Sequence, residues 1–300
     1  MHSQTATVKL TFAALAVSCT FLATRAFAAD IKGQVMGGGA PVAQSTVTLW
    51  AASSDAPKQL AQTKTDNEGR FEIAGAQTDS SLYLVATGGE PRGKGGDNPA
   101  IALLAVVGSN PPARVVINEF TTLASVVTHT QFIDGSAIKG SPLQLRIAAG
   151  NIPNFVDLET GDYGATILDA LNSAQTPTMA NFATLSSILA ACVTQLRSDA
   201  CSSLFYVATS PTGVYPKDTL AATESIVRDP SHQADKVFEL LNYFYPLPKF
   251  EPGKLLRPTP VPALFNFRAE RLDLSPQIHG RWLQRRREAH DRQRRQCLGC

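Results

Sequence analysis

The sequence predicts an α+β chain in two regions, an N-terminal β-sandwich over residues 30–118 and a small helical region over 119–246. Two patterns divide them. Up to Asn118, short apolar segments alternate with period two and are separated by Gly, Asn, Asp and Pro, as half-buried strands and turns are. After Asn118, apolar residues fall three and four apart, which lays them along one face of a helix. Residues 247–300 fit neither pattern. They read as a Pro-rich arm (247–267) and a disordered tail (268–300).

The strands follow in order. "IKGQV" (31–35) alternates, and "GGG" (37–39) reads as a flexible turn. In "STVTLWA" (45–51), Val47, Leu49 and Ala51 share one face. "QLAQTKT" (59–65) runs into Asp66-Asn67-Glu68-Gly69, whose acid and amide side chains bond nearby backbone and whose glycine accepts positive φ. "RFEIAG" (70–75) returns as the partner strand, and Leu82, Leu84 and Ala86 fall in register in "SLYLVATGG" (81–89). "IALLAVVG" (101–108) and "ARVVIN" (113–118) are apolar enough to be central strands. "GGEPRGKGGDNPA" (88–100) reads as a flexible surface loop. The residue after Lys94 is Gly95, so the Walker spacing for a phosphate loop is absent.

In the helical region, "EFTTLASVVTHTQF" (119–132) puts Phe120, Leu123, Val127 and Gln131 on one face, although its β-branched content leaves a strand open. "TMANFATLSSILAACVTQLR" (178–197) is the clearest helix, with a stripe of Phe182, Leu185, Leu189, Cys192 and Leu196 and an N-cap region at Thr178. "KDTLAATESIVRD" (217–229) starts on Asp218 and stops before Pro230. "HQADKVFELLNYF" (232–244) gathers Val237, Leu240, Leu241 and Phe244. Helices this short are not stable alone and must pack on each other or on the sandwich.

Residues 1–29 read as a secretory signal peptide: Lys9 near the start, the 14-residue apolar stretch "LTFAALAVSCTFLA", and Ala26-Phe27-Ala28 as a cleavage site. The stretch is short of the roughly 20 residues that span a bilayer, and no later segment reaches that length. A lipoprotein acylated at Cys19 is the rival reading, on the weak lipobox "AVSC". The mature chain is therefore expected to be exported, to the periplasm, the cell surface or the medium. Export permits disulfides, and Cys192 and Cys201 are the plausible pair in the body.

The spaced pattern "GQV…PVAQSTVTLW…TDNEGRFEI…YLVAT", with its turn Thr65-Asp66-x-x-Gly69-x-Phe71, resembles the carboxypeptidase regulatory-like (transthyretin-like) β-sandwich. The resemblance implies a transthyretin/Ig-like fold, related to carbohydrate-binding-like folds, in an accessory domain without catalytic residues. The body as a whole, through "INEFTTLASV", "LSSILAACV" and "LLRPTPVPALFNF", resembles the N-terminal half of exported proteins bearing an NHL-repeat propeller, of virginiamycin B lyase-like type. That second resemblance implies that any lyase chemistry sits in the propeller, which is missing after Phe267.

Residues 268–300 carry nine Arg and no Lys against four acids, and end in Cys297-x-x-Cys300. Read one base out of frame, with allowed synonymous codons, residues 269–299 can spell "PNDWTLALKFTGGG" and the first blade of the expected propeller. The tail is therefore read as frameshifted sequence. The body without it is mildly acidic, a poor match for nucleic acid, and the tail has one aromatic, Trp282. Cys297 and Cys300 supply two of the four ligands a zinc site needs.

No residue of the body stands out as a catalytic nucleophile or base, a metal ligand or a cofactor contact. Gly-x-Ser-x-Gly and His-Glu-x-x-His are absent, and Ser136 and Ser141 read as loop serines. His129 lies among Val and Thr and reads as a satisfied histidine. Asp157, Glu159 and Asp162 lack the order of a calcium loop and read as a solvated loop. The expectation is a non-catalytic exported binding module, truncated from a propeller protein, with no cofactor and with an unidentified protein or cell-envelope ligand as partner. A lyase-like enzyme, only with the propeller restored, and a nucleic-acid binder through the tail are the alternatives.

Overall fold

The computed structural model describes residues 30–74, 79–92 and 96–246. The leader, the Pro-rich arm from residue 247 and the Arg-rich tail lie outside the described residues, as do 75–78 and 93–95.

Two sheets form the N-terminal region. In the first, β1 (Ile31–Gly37) pairs antiparallel with β5 (Arg70–Ile73) and with β2 (Ala40–Ala43), and parallel with β9 (Arg114–Ile117). β2 in turn pairs with β7 (Glu90–Pro91). The second sheet runs β4 (Lys58–Lys64), β3 (Thr46–Ala51), β6 (Leu82–Thr87), β8 (Ala102–Gly108), antiparallel throughout. Between the sheets lies one core: Ile31, Val35, Phe71, Val115 and Ile117 face Val47, Leu49, Leu84, Leu103 and Ala105. Gly33 sits on this inner face because the Phe71 ring fills the space a side chain would need; an added Cβ would lie 2.3 Å from it.

The expected alternation holds in β1, β3 and β5 but not in β6 and β8, where almost every residue is buried. The second sheet is a middle layer. Its inner residues join the sandwich core, while Tyr83, Val85, Leu104 and Val106 on the reverse pack against helices. Among the described residues there are eight helices: α1 (Glu119–His129), α2 (Pro142–Gly150), α3 (Ala165–Leu168), α4 (Ala170–Gln175), α5 (Thr178–Val193), α6 (Ala200–Val207), α7 (Thr219–Arg228) and α8 (Ala234–Phe244), of which α1, α2 and α7 pack directly on β8. A hairpin of β10 (Ile133–Asp134) and β11 (Ala137–Ile138) follows α1. The Ser136 carbonyl of that hairpin accepts the Tyr83 hydroxyl at 3.1 Å.

The outer edge of β8 would present unpaired N–H groups, and helix hydroxyls satisfy them. Thr122 and Ser125 of α1 accept from the N–H of Leu104 and Val106 at 2.9 and 3.0 Å. Thr219 of α7 accepts from the Ala102 N–H at 2.9 Å and donates to its carbonyl at 2.7 Å. An exposed strand edge is a template for aggregation, and here it is closed by side chains.

Several expectations change. The region 119–132 is a helix, but Val127 is 37% exposed while Ala124 and Val126 are buried. α1 is enclosed around its first two turns, so a single stripe does not describe it. Helix α5 stops at Val193, before the expected Leu196. Gln195 takes a left-handed turn (φ 48°), and the N–H groups of Gln195 and Leu196 cap the carbonyls of Cys192 and Ala191. Thr178 is the first helical residue, and Pro177 holds the cap position without a side-chain bond. Asp218 does cap α7, accepting from the Ala221 N–H at 2.8 Å. Ser141, in the loop before α2, caps that helix in a reciprocal pair with Gln144.

Candidate functional site

The "GGG" turn is held rather than flexible. Gly38 and Gly39 take φ of 58° and 78°, the paired positive values a tight β1–β2 hairpin needs. Its tip is clamped: a Cβ on Gly37 would lie 2.4 Å from Val193, and one on Gly38 would lie 2.3 Å from Thr194. The Gly38 N–H donates to Glu119 Oε1 at 2.9 Å. Glu119 is the first residue of α1 and is 1% exposed. Burial pushes its carboxyl up to about 7, against the lowering effect of the backbone donors at its own N–H and at Gly38.

Asn118, the α1 cap, fixes the next component. Its Oδ1 accepts from the Thr121 N–H, and Thr121 Oγ1 accepts from the Asn118 N–H, both at 2.9 Å. Its Nδ2 donates to the Gly161 carbonyl at 2.8 Å. Gly161 has φ of 70°, and a Cβ there would meet Val116 at 2.5 Å, so the 157–162 loop lies flat against β9. Within the loop Asp157 accepts from the Glu159 N–H at 2.8 Å, and the Asp157 N–H bonds the Asp162 carbonyl. Asp162 is raised above the usual carboxylate range, by burial first and by the Asp157 charge second.

These pieces surround a cavity of about 510 Å³. Gln34 and Met36 of β1, Arg114 of β9, Glu119 of α1, and Glu159 and Asp162 of the loop line it. Chemically it offers three carboxyl groups and one guanidinium around a partly apolar floor, a set that recognises polar or cationic groups by hydrogen bonding. Asp157, Glu159 and Asp162, expected in a solvated loop, are thus partly drawn into a cavity wall. Among the described residues, no group of three or more His, Cys, Asp or Glu could hold a metal ion.

His129 is fully buried and only half satisfied. Nδ1 lies 3.1 Å from the Ser125 carbonyl and 2.9 Å from Thr128 Oγ1, while Nε2 has no partner among the described residues. Burial pushes it down to about 4. It sits at the far end of α1 from Glu119 and does not reach the cavity lining. Ser136, in the β10–β11 hairpin, contributes its carbonyl to Tyr83.

Cys192 and Cys201 are joined by a disulfide, S–S 2.08 Å with the Cα atoms 4.4 Å apart, linking α5 to α6. Beside it Asn98, within the segment read as a surface loop, is 2% exposed and donates both Nδ2 hydrogens, to the carbonyls of Cys192 and Val193 at 2.9 and 3.0 Å. Sequence reasoning missed Asn98, Glu119 and Asn118. The one available signal was an Asn-Glu pair at a strand-to-helix junction, which marks a helix start but not a cavity.

A family model for the Transthyretin-like family matches residues 32–87, from β1 through β6. Those residues are a transthyretin-like domain. β8, β9 and the helices lie beyond the match. Among solved structures, a 9R-lipoxygenase from Cyanothece PCC8801 aligns over 57% of this chain and 25% of its own, at 13% identity and a TM-score of 0.20. The chain thus spans about a quarter of that protein's length. No curated protein matches the chain. Among the described residues no helix is long and apolar enough to cross a membrane.

Proposed function

We propose that this chain is a non-catalytic exported accessory module that binds a cell-envelope ligand at the cavity beside α1. The observation that carries the reading is how its interior polar groups are committed. Glu119 anchors the β1–β2 turn, and Thr122, Ser125 and Thr219 close the edge of β8. The polar groups left at the surface, Arg114, Glu159 and Asp162, line the cavity mouth and suit recognition, beside Gln34, whose Nε2 donates to the Glu68 carbonyl at 2.7 Å. The transthyretin-like domain supports the same reading, since the sequence resemblance implies an accessory role.

The test is co-sedimentation of the purified chain with isolated peptidoglycan sacculi. Retention that Arg114→Ala weakens severalfold is expected. Linearisation of a virginiamycin-type cyclic depsipeptide by the chain alone would overturn the non-catalytic reading. We further propose that the chain derives from a propeller-bearing parent and is out of frame from about residue 268. Resequencing from codon 260 onward decides this: an open propeller frame in one of the alternative readings is expected, and closed alternative frames would make the Arg-rich tail genuine protein.

A further inference from the structure

A second concavity lies between α6 and α8, with a volume of about 570 Å³. The two helices run in opposite directions. Asp199, just before α6, meets Tyr243 at the end of α8, and Tyr206 near the end of α6 lies under Lys236 near the start of α8. The floor is Val207 and Leu240. The rims are aromatic: Tyr206 is 65% exposed and Tyr243 is 42% exposed. Tyr243 is held in place, its hydroxyl donating to Asp199 at 2.5 Å and its ring covered by Arg197 at 4.3 Å. A trough with an apolar floor and tyrosine rings for walls is the surface that a polyproline II strand fits, because that strand needs little ordering, its prolines stack on aromatic rings, and its carbonyls can accept from the Tyr206 hydroxyl.

The sequence that follows α8 is rich in proline. Tyr245 is anchored, its hydroxyl bonding the Ser187 carbonyl at 3.1 Å, so the chain leaves α8 at the Tyr243 end of the groove. Pro246 follows, then residues outside the described range. Their sequence has a Pro-Gly turn signal at 252–253 and then "KLLRPTPVP" (254–262). Seven residues between Pro246 and Lys254 reach up to about 24 Å, while Tyr243 to Lys236 is about 10 Å of helix, which about four polyproline residues cover. Glu239 on the groove wall complements Arg257 and Lys254. We propose that residues 254–262 dock in the α6–α8 groove of their own chain, with Tyr206 and Tyr243 as the walls.

Tryptic cleavage of the full chain at Lys254–Leu255 tests this. Arg257–Pro258 resists trypsin, and Lys249→Gln in both chain and peptide removes the other site of this linker, Lys249–Phe250, whose cleavage would cut the segment loose. A millimolar effective concentration against a dissociation constant on the order of 0.1 mM implies cleavage about tenfold slower than in a synthetic peptide of residues 249–262. Tyr206→Ala, at an exposed site, should bring the rate close to the peptide's without moving the unfolding midpoint. Excess peptide 254–262 should do the same to the unaltered chain. Equal rates in chain and peptide would refute docking. Protection that persists in Tyr206→Ala would place the segment elsewhere, and protection that rises with protein concentration alongside a sedimenting dimer would assign the groove to a second copy.

Discussion

Glu119 and His129 sit at opposite ends of α1, are both buried, and respond to pH with opposite sign. Glu119 is raised from 4.5 to about 7 in the folded chain, so between those values the native state keeps a proton that the unfolded state has lost. Its contribution is fully present below pH 4.5 and is lost as pH rises through 7. His129 is lowered from 6.5 to about 4, so the unfolded state takes up a proton that the native state refuses. Its contribution is present above pH 6.5 and is lost as pH falls through 4. Each shift corresponds to about 3 kcal/mol. Across pH 4.5 to 6.5 the two largely cancel, and the intact chain should show a flat stability profile for these groups.

Glu119→Gln keeps an oxygen to accept from the Gly38 N–H but cannot ionise. Its stability should rise by about 3 kcal/mol from pH 4 to 6.5 and then hold, which leaves it more stable than the parent at pH 8 and level with it near pH 4. His129→Phe should show the mirror image, falling by about 3 kcal/mol from pH 4.5 to 7. Urea unfolding midpoints at unit pH steps between 4 and 8 measure both. If Glu119→Gln tracks the parent in parallel across that range, Glu119 titrates near its ordinary value, and burial does not govern it as argued here.

Thr122→Val should cost about 1–3 kcal/mol by leaving the Leu104 N–H unpaired, with faster amide exchange at Leu104, whereas Thr122→Ser should retain most of the protection. Reducing the Cys192–Cys201 bridge, or replacing both with Ser, should cost about 2.5 kcal/mol for a loop of nine residues, read as a lower thermal midpoint. Gly38→Val combines positive φ with a clash at Thr194 and should cost about 2–4 kcal/mol in urea unfolding, while Gly135→Ala, in open space, should cost only the positive-φ penalty of about 1–2 kcal/mol.

β1, β3 and β5 were legible because their two faces differ, and alternation records that directly, as in Val47, Leu49 and Ala51 against Thr46, Thr48 and Trp50, whereas β8, buried throughout, was legible only as an apolar run. α5, α7 and α8 were legible for the same reason at helical period. α2, α3, α4 and α6 were not: Leu143 and Ile147 are apolar yet more than half exposed, so the pattern of α2 carries no face signal. The short β2 and β7 were lost among glycines and prolines that read as loop. The cavity was illegible because it joins residues from 34 to 162 that become neighbours only when β1, β9 and α1 converge. Nothing in the sequence around Glu119 marks it as buried. Its burial comes from the hairpin tip pressed on it by Val193 and Thr194, contacts more than 70 residues away in sequence.

The division at residue 118 is a boundary of secondary structure but not of stability. Cutting there would leave the reverse face of the second sheet, with Tyr83, Val85, Leu104 and Val106, open to water, at about 1.5–3 kcal/mol for each side chain. It would also remove the hydroxyls that satisfy the N–H groups of Ala102, Leu104 and Val106, at about 1–2 kcal/mol for each group that water does not fully compensate. Together these losses are as large as the 5–15 kcal/mol that holds a whole domain folded. Val193 makes the dependence mutual, because it lies at the end of α5 and yet belongs to the core between the two sheets. A transthyretin-like sandwich whose second sheet is buried on both sides has given up one free face. The face it leaves open is the outer face of the first sheet and its junction with α1, where the cavity lies.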